Sequence, residues 1–296
     1  MKIQLDKKIV VRFCAAFAVF LSTNSYAQSQ PTENTYPKLS SIYIEAGHIK
    51  STTNNTSATG YNVANTSNNN ERGGVIVEFS PKWSGGLSIA GYQSNMSGQV
   101  SGNQSVSGSP SQTSALSFAN YSFNPLLSAG GYLGYGQGPN TMLYGSTQYP
   151  GAMTNQLLGT YISLTIPVTQ QWSARLSPSY IYSYSSANRD SVTVSGAQNP
   201  AVTSNTSINM ANLASSVSYL TLNQQWRFDA GVVTHQVLSQ SIATTQTQLA
   251  NFWNTPFVGV NYSTEEKYNL YARASKELGD PRIGGQSITV GISKNF

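Results

Sequence analysis

Few residues in this 296-residue chain could carry out acid, base or nucleophilic chemistry. It contains two histidines, His48 and His235, and one cysteine, Cys14. Asp229 falls on the same face of an extended run as His235, but six residues of strand separate them by roughly 20 Å. That distance is too long for a hydrogen-bonded acid–base pair. The motifs of metal clusters, phosphate loops and nucleophile elbows are missing, so we expect no catalytic residue, no cofactor and no metal.

Six charged side chains form a second group, because each falls on the polar face of an alternating run. They are Glu45, Glu78, Arg175, Arg227, Asp229 and Arg273. If those faces line a pore, the charges would steer ions and set its selectivity. If the interior is narrow, the same charges would form ion pairs that brace it, since a confined charge needs a partner. The balance of three cations and three anions slightly favours bracing, and a basic stripe formed by the three arginines is the alternative.

The elements that would position these residues are strands with one apolar and one polar face. Alternating runs begin at Leu39, Trp83, Leu127, Trp172, Trp226 and Tyr268, mostly at intervals of about 44 residues. Each run after the first follows a short turn, whereas the other connections are long and rich in Ser, Asn, Gly and Thr. Composition predicts these long connections to be loops, near 51–71, 96–112, 139–152, 187–205, 240–249 and 278–285. Six such hairpins give twelve strands.

The last run, Gln286–Phe296, places Ile288, Val290, Ile292 and Phe296 on one face and small or polar residues on the other. A C-terminal amphipathic strand that ends in Phe resembles the terminal strand of bacterial outer-membrane β-barrels. The resemblance implies an all-β, up-and-down antiparallel transmembrane barrel of about twelve strands, with short periplasmic turns and long extracellular loops. It also implies two partners, outer-membrane lipid around the barrel and the barrel-assembly machinery, which would recognise Phe296.

Aromatic residues cluster at the ends of the predicted apolar faces, where amphipathic rings suit a membrane–water boundary. The predicted girdle consists of Trp83, Trp172, Trp226, Tyr268, Tyr180, Tyr182 and Tyr184. A half-buried strand of a soluble sandwich would show the same alternation. Only 9% of the residues are charged, however, well below the roughly 25% of soluble domains. The composition therefore favours the membrane barrel.

The N-terminal segment has the order of a secretory signal peptide, with four basic residues, the apolar run Phe13–Leu21 and the small residue Ala27. The apolar run is shorter than the roughly 20 residues that a membrane-spanning helix needs. We predict a signal peptide at 1–27, a flexible periplasmic lead-in at 28–38 and the barrel at 39–296, in the outer membrane of a Gram-negative bacterium. The signal peptide has four basic residues and one acidic residue, so it carries +3 of the net charge of +5. The remaining +2 gives no reason to expect a nucleic-acid partner.

A monomeric, porin-like channel for small hydrophilic solutes is the function that the small polar residues of the inner faces favour. The alternative is a non-conducting barrel that acts through its long outer loops, as an adhesin does. Twelve strands and a terminal Phe also resemble autotransporter translocator barrels, here without a passenger. An outer-membrane hydrolase is least favoured, because the segment 234–237 around His235 lacks the nearby serine of outer-membrane phospholipases.

Overall fold

The computed structural model describes residues 36–57, 60–100, 104–194, 197–241, 250–279 and 285–296. These residues form seventeen strands: β1 Lys38–Ser57, β2 Gly60–Glu78, β3 Trp83–Val100, β4 Gln104–Gly108, β5 Ser111–Ser122, β6 Leu127–Pro139, β7 Met142–Tyr144, β8 Thr147–Tyr149, β9 Gly151–Pro167, β10 Trp172–Arg189, β11 Val192–Val194, β12 Ala197–Asn199, β13 Val202–Leu220, β14 Trp226–Ser241, β15 Phe252–Ser263, β16 Tyr268–Lys276 and β17 Gln286–Asn295. Within the described ranges, no helix is long and apolar enough to cross a membrane. The predicted signal peptide and most of the predicted lead-in lie outside the described residues.

Twelve of these strands close into one antiparallel barrel. Their order around the barrel is β1, β2, β3, β5, β6, β9, β10, β13, β14, β15, β16 and β17, and β17 pairs back with β1. This seam runs from the pair Ser41–Asn295 to the pair Lys50–Gln286. Beyond it, the amide of Phe296 donates a hydrogen bond to the backbone oxygen of Ser40, 3.0 Å away. The predicted all-β, twelve-stranded, up-and-down barrel is confirmed.

Five short turns lie at one end of the barrel, which we call the short-turn end. Strands β3, β6, β10, β14 and β16 begin at the residues that the sequence predicts. In each turn a side chain accepts a hydrogen bond from the first amide of the next strand, as Ser80 Oγ does from Trp83 (3.0 Å) and Thr264 Oγ1 from Tyr268 (3.1 Å). The other three turns use Asn124, Thr169 and Thr221. These bonds satisfy donors that a tight turn leaves unpaired, which explains why the turns are polar.

At the opposite end, which we call the long-hairpin end, the predicted loops 51–71, 96–112, 139–152 and 187–205 contain strands instead. The predicted loops 240–249 and 278–285 lie mostly outside the described residues. The prediction of a loop over 51–71 is wrong, because β1 and β2 stay paired out to Ser57 and Gly60. Polar side chains bond across this hairpin, as Thr52 Oγ1 does to Asn65 Oδ1 at 2.9 Å. Farther round, β4 pairs with both β3 and β7, which joins two neighbouring hairpins into one small sheet. Composition predicted loops here because these strands lack an apolar face, yet a partner strand satisfies their backbone groups.

Most hydrophobic residues of the barrel face outward. Leu133, Val258 and Ile288 lie on three different strands and are 59%, 60% and 52% exposed. The inward positions carry mainly Ser, Asn, Thr, Gly, Tyr and charged residues. This arrangement is the reverse of a soluble core and matches a barrel with an apolar belt and a polar interior.

Candidate functional site: the barrel lumen

Glu45 and Tyr271 face the lumen beside the seam and bind to one another. Glu45 forms an ion pair with Arg72 Nη2 at 2.7 Å, and Tyr271 OH donates a hydrogen bond to Glu45 Oε2 at 2.6 Å. Register explains this reach, because Tyr271, Gly291, Glu45 and Arg72 form one row across β16, β17, β1 and β2. Gly291 has no side chain, so the Tyr271 ring lies over it and spans to β1. The network therefore ties the first strands to the last ones.

Arg72 was missed at the sequence level, because it adjoins the stretch that composition predicts to be a loop. In the structure it is an inward residue of β2, with a side chain that is 41% exposed against 13% for its partner Glu45. The pair was detectable only after the register of β1 against β2 was known. Its presence supports the bracing interpretation for Glu45.

A second charged group lies on β14. Arg227 Nε and Asp229 Oδ2 are 3.2 Å apart, and Ser218 Oγ donates a hydrogen bond of 2.5 Å to Asp229 Oδ1. Arg273 lies on β16, in the row that contains Asp229, and its guanidinium carbon is 3.7 Å from the centre of the Phe257 ring. A ring face attracts a cation at this distance. Arg227 is thus neutralised by a carboxylate, whereas Arg273 is held by an aromatic ring.

Arg175 stands apart from the other charges. Its Nε donates a hydrogen bond to Ser163 Oγ at 2.8 Å, and Ser163 is only 4% exposed. Among the described residues, neither Arg175 nor Arg273 has a carboxylate within ion-pair distance. The register places Arg175 in the same row as Phe257, the ring on which Arg273 stacks. Since Arg227 is paired with Asp229, only Arg175 and Arg273 remain of the basic stripe that the sequence predicted.

Glu78 differs from the other five predicted lumen residues, because it lies at the short-turn rim as the last residue of β2. Its Oε2 forms an ion pair with Lys38 Nζ at 2.9 Å, and its Oε1 accepts a hydrogen bond from Ser40 Oγ at 3.1 Å. The two side chains are 56% and 34% exposed, so solvent screens the ion pair and it adds little to stability. Glu78 is a rim residue rather than part of a constriction.

Aromatic side chains reach over glycines of the adjacent strand, and this feature had no signal in the sequence. Directly paired examples among the described residues are Tyr43–Gly74, Phe118–Gly86, Tyr132–Gly159, Tyr161–Gly130, Phe257–Gly231 and Tyr271–Gly291. A Cβ on Gly130, for example, would lie 2.6 Å from the Tyr161 ring. The glycines let large rings lie along the wall instead of standing across the lumen.

The two histidines occupy different sides of the wall. His48 faces outward, with Nδ1 2.7 Å from Asn69 Oδ1. His235 faces inward and stacks on Trp253, with ring centroids 4.6 Å apart. Its Nδ1 lies 2.8 Å from Asn212 Oδ1, and its Nε2 lies 3.0 Å from Thr255 Oγ1 on β15. Among the described residues, no group of three or more metal-binding side chains is present.

The predicted girdle residues lie on the outer face. Trp83, Trp172 and Trp226 are at the short-turn end and are 50%, 46% and 41% exposed. Each packs on a tyrosine of the adjacent strand, with ring centroids 4.6–5.0 Å apart. Tyr268 lies at the same end, whereas Tyr180, Tyr182 and Tyr184 lie farther along β10. Phe296 is 57% exposed beside β1, and its role as an assembly signal stays a prediction.

Several solved structures resemble this barrel, although no protein-family model and no curated protein matches the sequence. The translocator domain of autotransporter NalP from Neisseria meningitidis aligns over 98% of this chain and 98% of its own, with a TM-score of 0.66 and 13% identity. The transport unit of autotransporter AIDA-I from Escherichia coli covers 95% of this chain and 98% of its own (TM-score 0.63, 12% identity). An outer membrane channel from Pseudomonas putida F1 covers 91% of this chain and 100% of its own (TM-score 0.51, 11% identity). At these identities the likeness shows the fold, which is that of outer-membrane β-barrels.

Proposed function

We propose that this protein is exported to the outer membrane of a Gram-negative bacterium and there passes small hydrophilic solutes by diffusion. The observation that carries the proposal is the solvent exposure of charged side chains inside the barrel. Arg72, six residues from the short-turn end of β2, is 41% exposed, and Asp229 is 22% exposed. A lumen closed by packed side chains would bury these groups, and burial of partly paired charge is costly. Water therefore fills the space between the walls.

The direction of selectivity follows from the uneven pairing of charge. Glu45 and Asp229 are each neutralised by an arginine, whereas Arg175 and Arg273 have no carboxylate partner among the described residues. A net positive lumen concentrates anions and excludes cations. The channel consequently favours small anions over cations of the same size.

A second function is favoured by the small sheet at the long-hairpin end. Between β3, β4 and β7 lies a cavity of about 370 Å³, lined by Asn95, Met96, Ser107, Gly108, Ser109, Thr141, Leu143 and Gln148. Its size and its mixture of polar and apolar groups suit a small uncharged ligand. A barrel that binds a partner at this surface need not conduct. Deletion of residues 104–108 and 142–149 without any change in adhesion of whole cells would count against this function.

Conductance of residues 28–296, refolded and placed in a planar bilayer, tests the channel directly. Folding is verified first by the slower gel migration of the boiled sample. We expect discrete openings whose reversal potential in a KCl gradient indicates preference for chloride. Lys82, in a short turn, offers a matched control, because Lys82→Gln removes one positive charge outside the lumen. A folded barrel that is silent, or that prefers potassium, refutes the proposal.

A further inference from the structure

The lumen has an apolar wall opposite the charged wall of β14, β16, β1 and β2. Leu116 and Phe118 on β5, Tyr132 on β6 and Leu157 on β9 all point inward and are half-buried. On β5 the usual pattern is reversed, since the outward positions Ala115, Ser117 and Ala119 are small and the inward ones are large. The large apolar groups therefore lie on the lumen side.

These side chains form a continuous surface because a glycine lies between the two leucines. Leu116, Gly134 and Leu157 are directly paired in one row, and Phe118 and Tyr132 are paired in the next. A Cβ on Gly134 would lie 3.3 Å from Leu157 Cβ and 3.7 Å from Leu116 Cδ1. The two leucines thus meet over the glycine and leave no polar backbone gap between them.

Arg175 lies at the edge of this wall nearest the short-turn end. It binds Ser163, which is four residues from Gly159, the residue on which the Tyr132 ring lies. Four residues of strand span roughly 13 Å, which a six-carbon chain with its head at Arg175 can reach, whereas Leu157 is six residues from Ser163, roughly 20 Å away. Among the described residues, the guanidinium has a single hydrogen bond and no carboxylate partner. An anionic group at Arg175 would therefore place a chain of several carbons on the apolar wall.

We infer that the lumen binds and passes organic anions with an apolar body, whose head binds Arg175 and whose body lies on Tyr132 and Phe118, with Leu157 and Leu116 beyond them for a longer chain. Charge complementarity selects an anion over a cation, and contact with the wall selects a longer apolar chain over a shorter one. The inference rests on the proposed channel function and specifies its substrate class.

Alkyl sulfonates are suitable probes, because they stay ionised and do not cross lipid as neutral acids. Hexanesulfonate and methanesulfonate are added to the barrel in a planar bilayer, and the concentration that halves the chloride current is measured for each. We expect hexanesulfonate to act at a concentration about tenfold lower than methanesulfonate, because some of its five additional methylenes contact the wall. Hexyltrimethylammonium, the matched cation, should have little effect.

Variants locate the site. Phe118→Ser with Tyr132→Ser should remove most of the preference for hexanesulfonate over methanesulfonate, whereas Arg175→Gln should weaken both sulfonates and Arg175→Lys should retain them. Ile49→Ser is the matched control, because Ile49 is an apolar inward residue on the opposite wall. Gel migration shows that each variant has folded.

The outcomes separate the two claims. A folded barrel without openings refutes the channel and this inference together. Openings that both sulfonates reduce at the same concentration refute only this inference. Equal loss of preference in the Ile49→Ser control and in the Phe118→Ser, Tyr132→Ser double variant would also refute it, because the binding surface would then not be the wall on β5 and β6.

Discussion

Substitution of Gly291 by alanine tests whether the row at the seam stabilises the closed barrel. In the structure a Cβ at this position would lie 2.7 Å from Tyr271 Cε1 and closer still to Cζ and the hydroxyl oxygen. The ring must move, and the hydrogen bond of 2.6 Å to Glu45 is lost. A hydrogen bond to a charged group contributes about 1.5–3 kcal/mol. Alanine also restricts the unfolded chain more than glycine does, which adds back about 0.4–1 kcal/mol of stability. Gly291→Ala should therefore lower the free energy of unfolding by about 1–2 kcal/mol.

Gly259 provides the matched control, because it is an inward glycine on β15 that no neighbouring atom crowds. A Cβ at Gly259 would meet only ordinary contacts, at 3.4 Å from Ala272 O and 3.9 Å from Asp229 Cβ. Gly259→Ala should therefore be neutral or slightly stabilising, opposite in sign to Gly291→Ala. Urea unfolding in lipid vesicles, followed by tryptophan fluorescence, measures both.

Equal free energies of unfolding for the two alanine variants would refute the reasoning. A double-mutant cycle sharpens the test, because Tyr271→Phe removes the hydroxyl that binds Glu45. In that background Gly291→Ala should cost less than in the wild type, by about the value of the lost hydrogen bond. Strict additivity would show that Gly291 acts through the backbone and not through Tyr271.

Three other predictions concern charge and turns. Arg72→Gln leaves the Glu45 carboxylate without its cation and should lower the free energy of unfolding by about 1–2 kcal/mol. The loss is smaller than for a fully buried ion pair because Arg72 is 41% exposed. Urea unfolding measures this value, and an unchanged free energy would contradict the prediction. Arg175→Gln should move the reversal potential in a KCl gradient toward that of potassium, whereas Lys82→Gln should not; identical shifts would show that total charge alone sets selectivity. Thr264→Ala should cost about 0.5–1.5 kcal/mol, because it removes the acceptor of the first amide of β16, and unaltered unfolding would show that water replaces it.

The strand starts and the two faces of each strand were predictable because they depend on local signals. A polar turn followed by a large apolar residue identifies Trp83, Leu127, Trp172, Trp226 and Tyr268 as first residues of strands, and period-two alternation identifies the outward face. These features give the number of strands and show which face of each strand points out of the barrel. They do not require knowledge of which residue lies opposite which.

The interior network was not predictable, because it depends on register. The reach of Tyr271 over Gly291 to Glu45 follows from the pairing of the last two strands with β1, which is distant from them in sequence. The same holds for Arg72, which lies in a stretch without an apolar face, and for the leucines that meet over Gly134. Alternation shows that two faces exist, but only register shows which side chains meet.

Accessibility of paired cysteine substitutions tests the central claim of a water-filled barrel in a membrane most directly. The predicted mature chain, residues 28–296, has no cysteine, and Ser216 and Val217 are neighbours on β13 that face inward and outward. In lipid vesicles, Ser216→Cys should react with a charged, water-soluble thiosulfonate reagent, while Val217→Cys should be protected. Equal reactivity of the two variants would contradict a membrane barrel, and protection of both would contradict an open lumen.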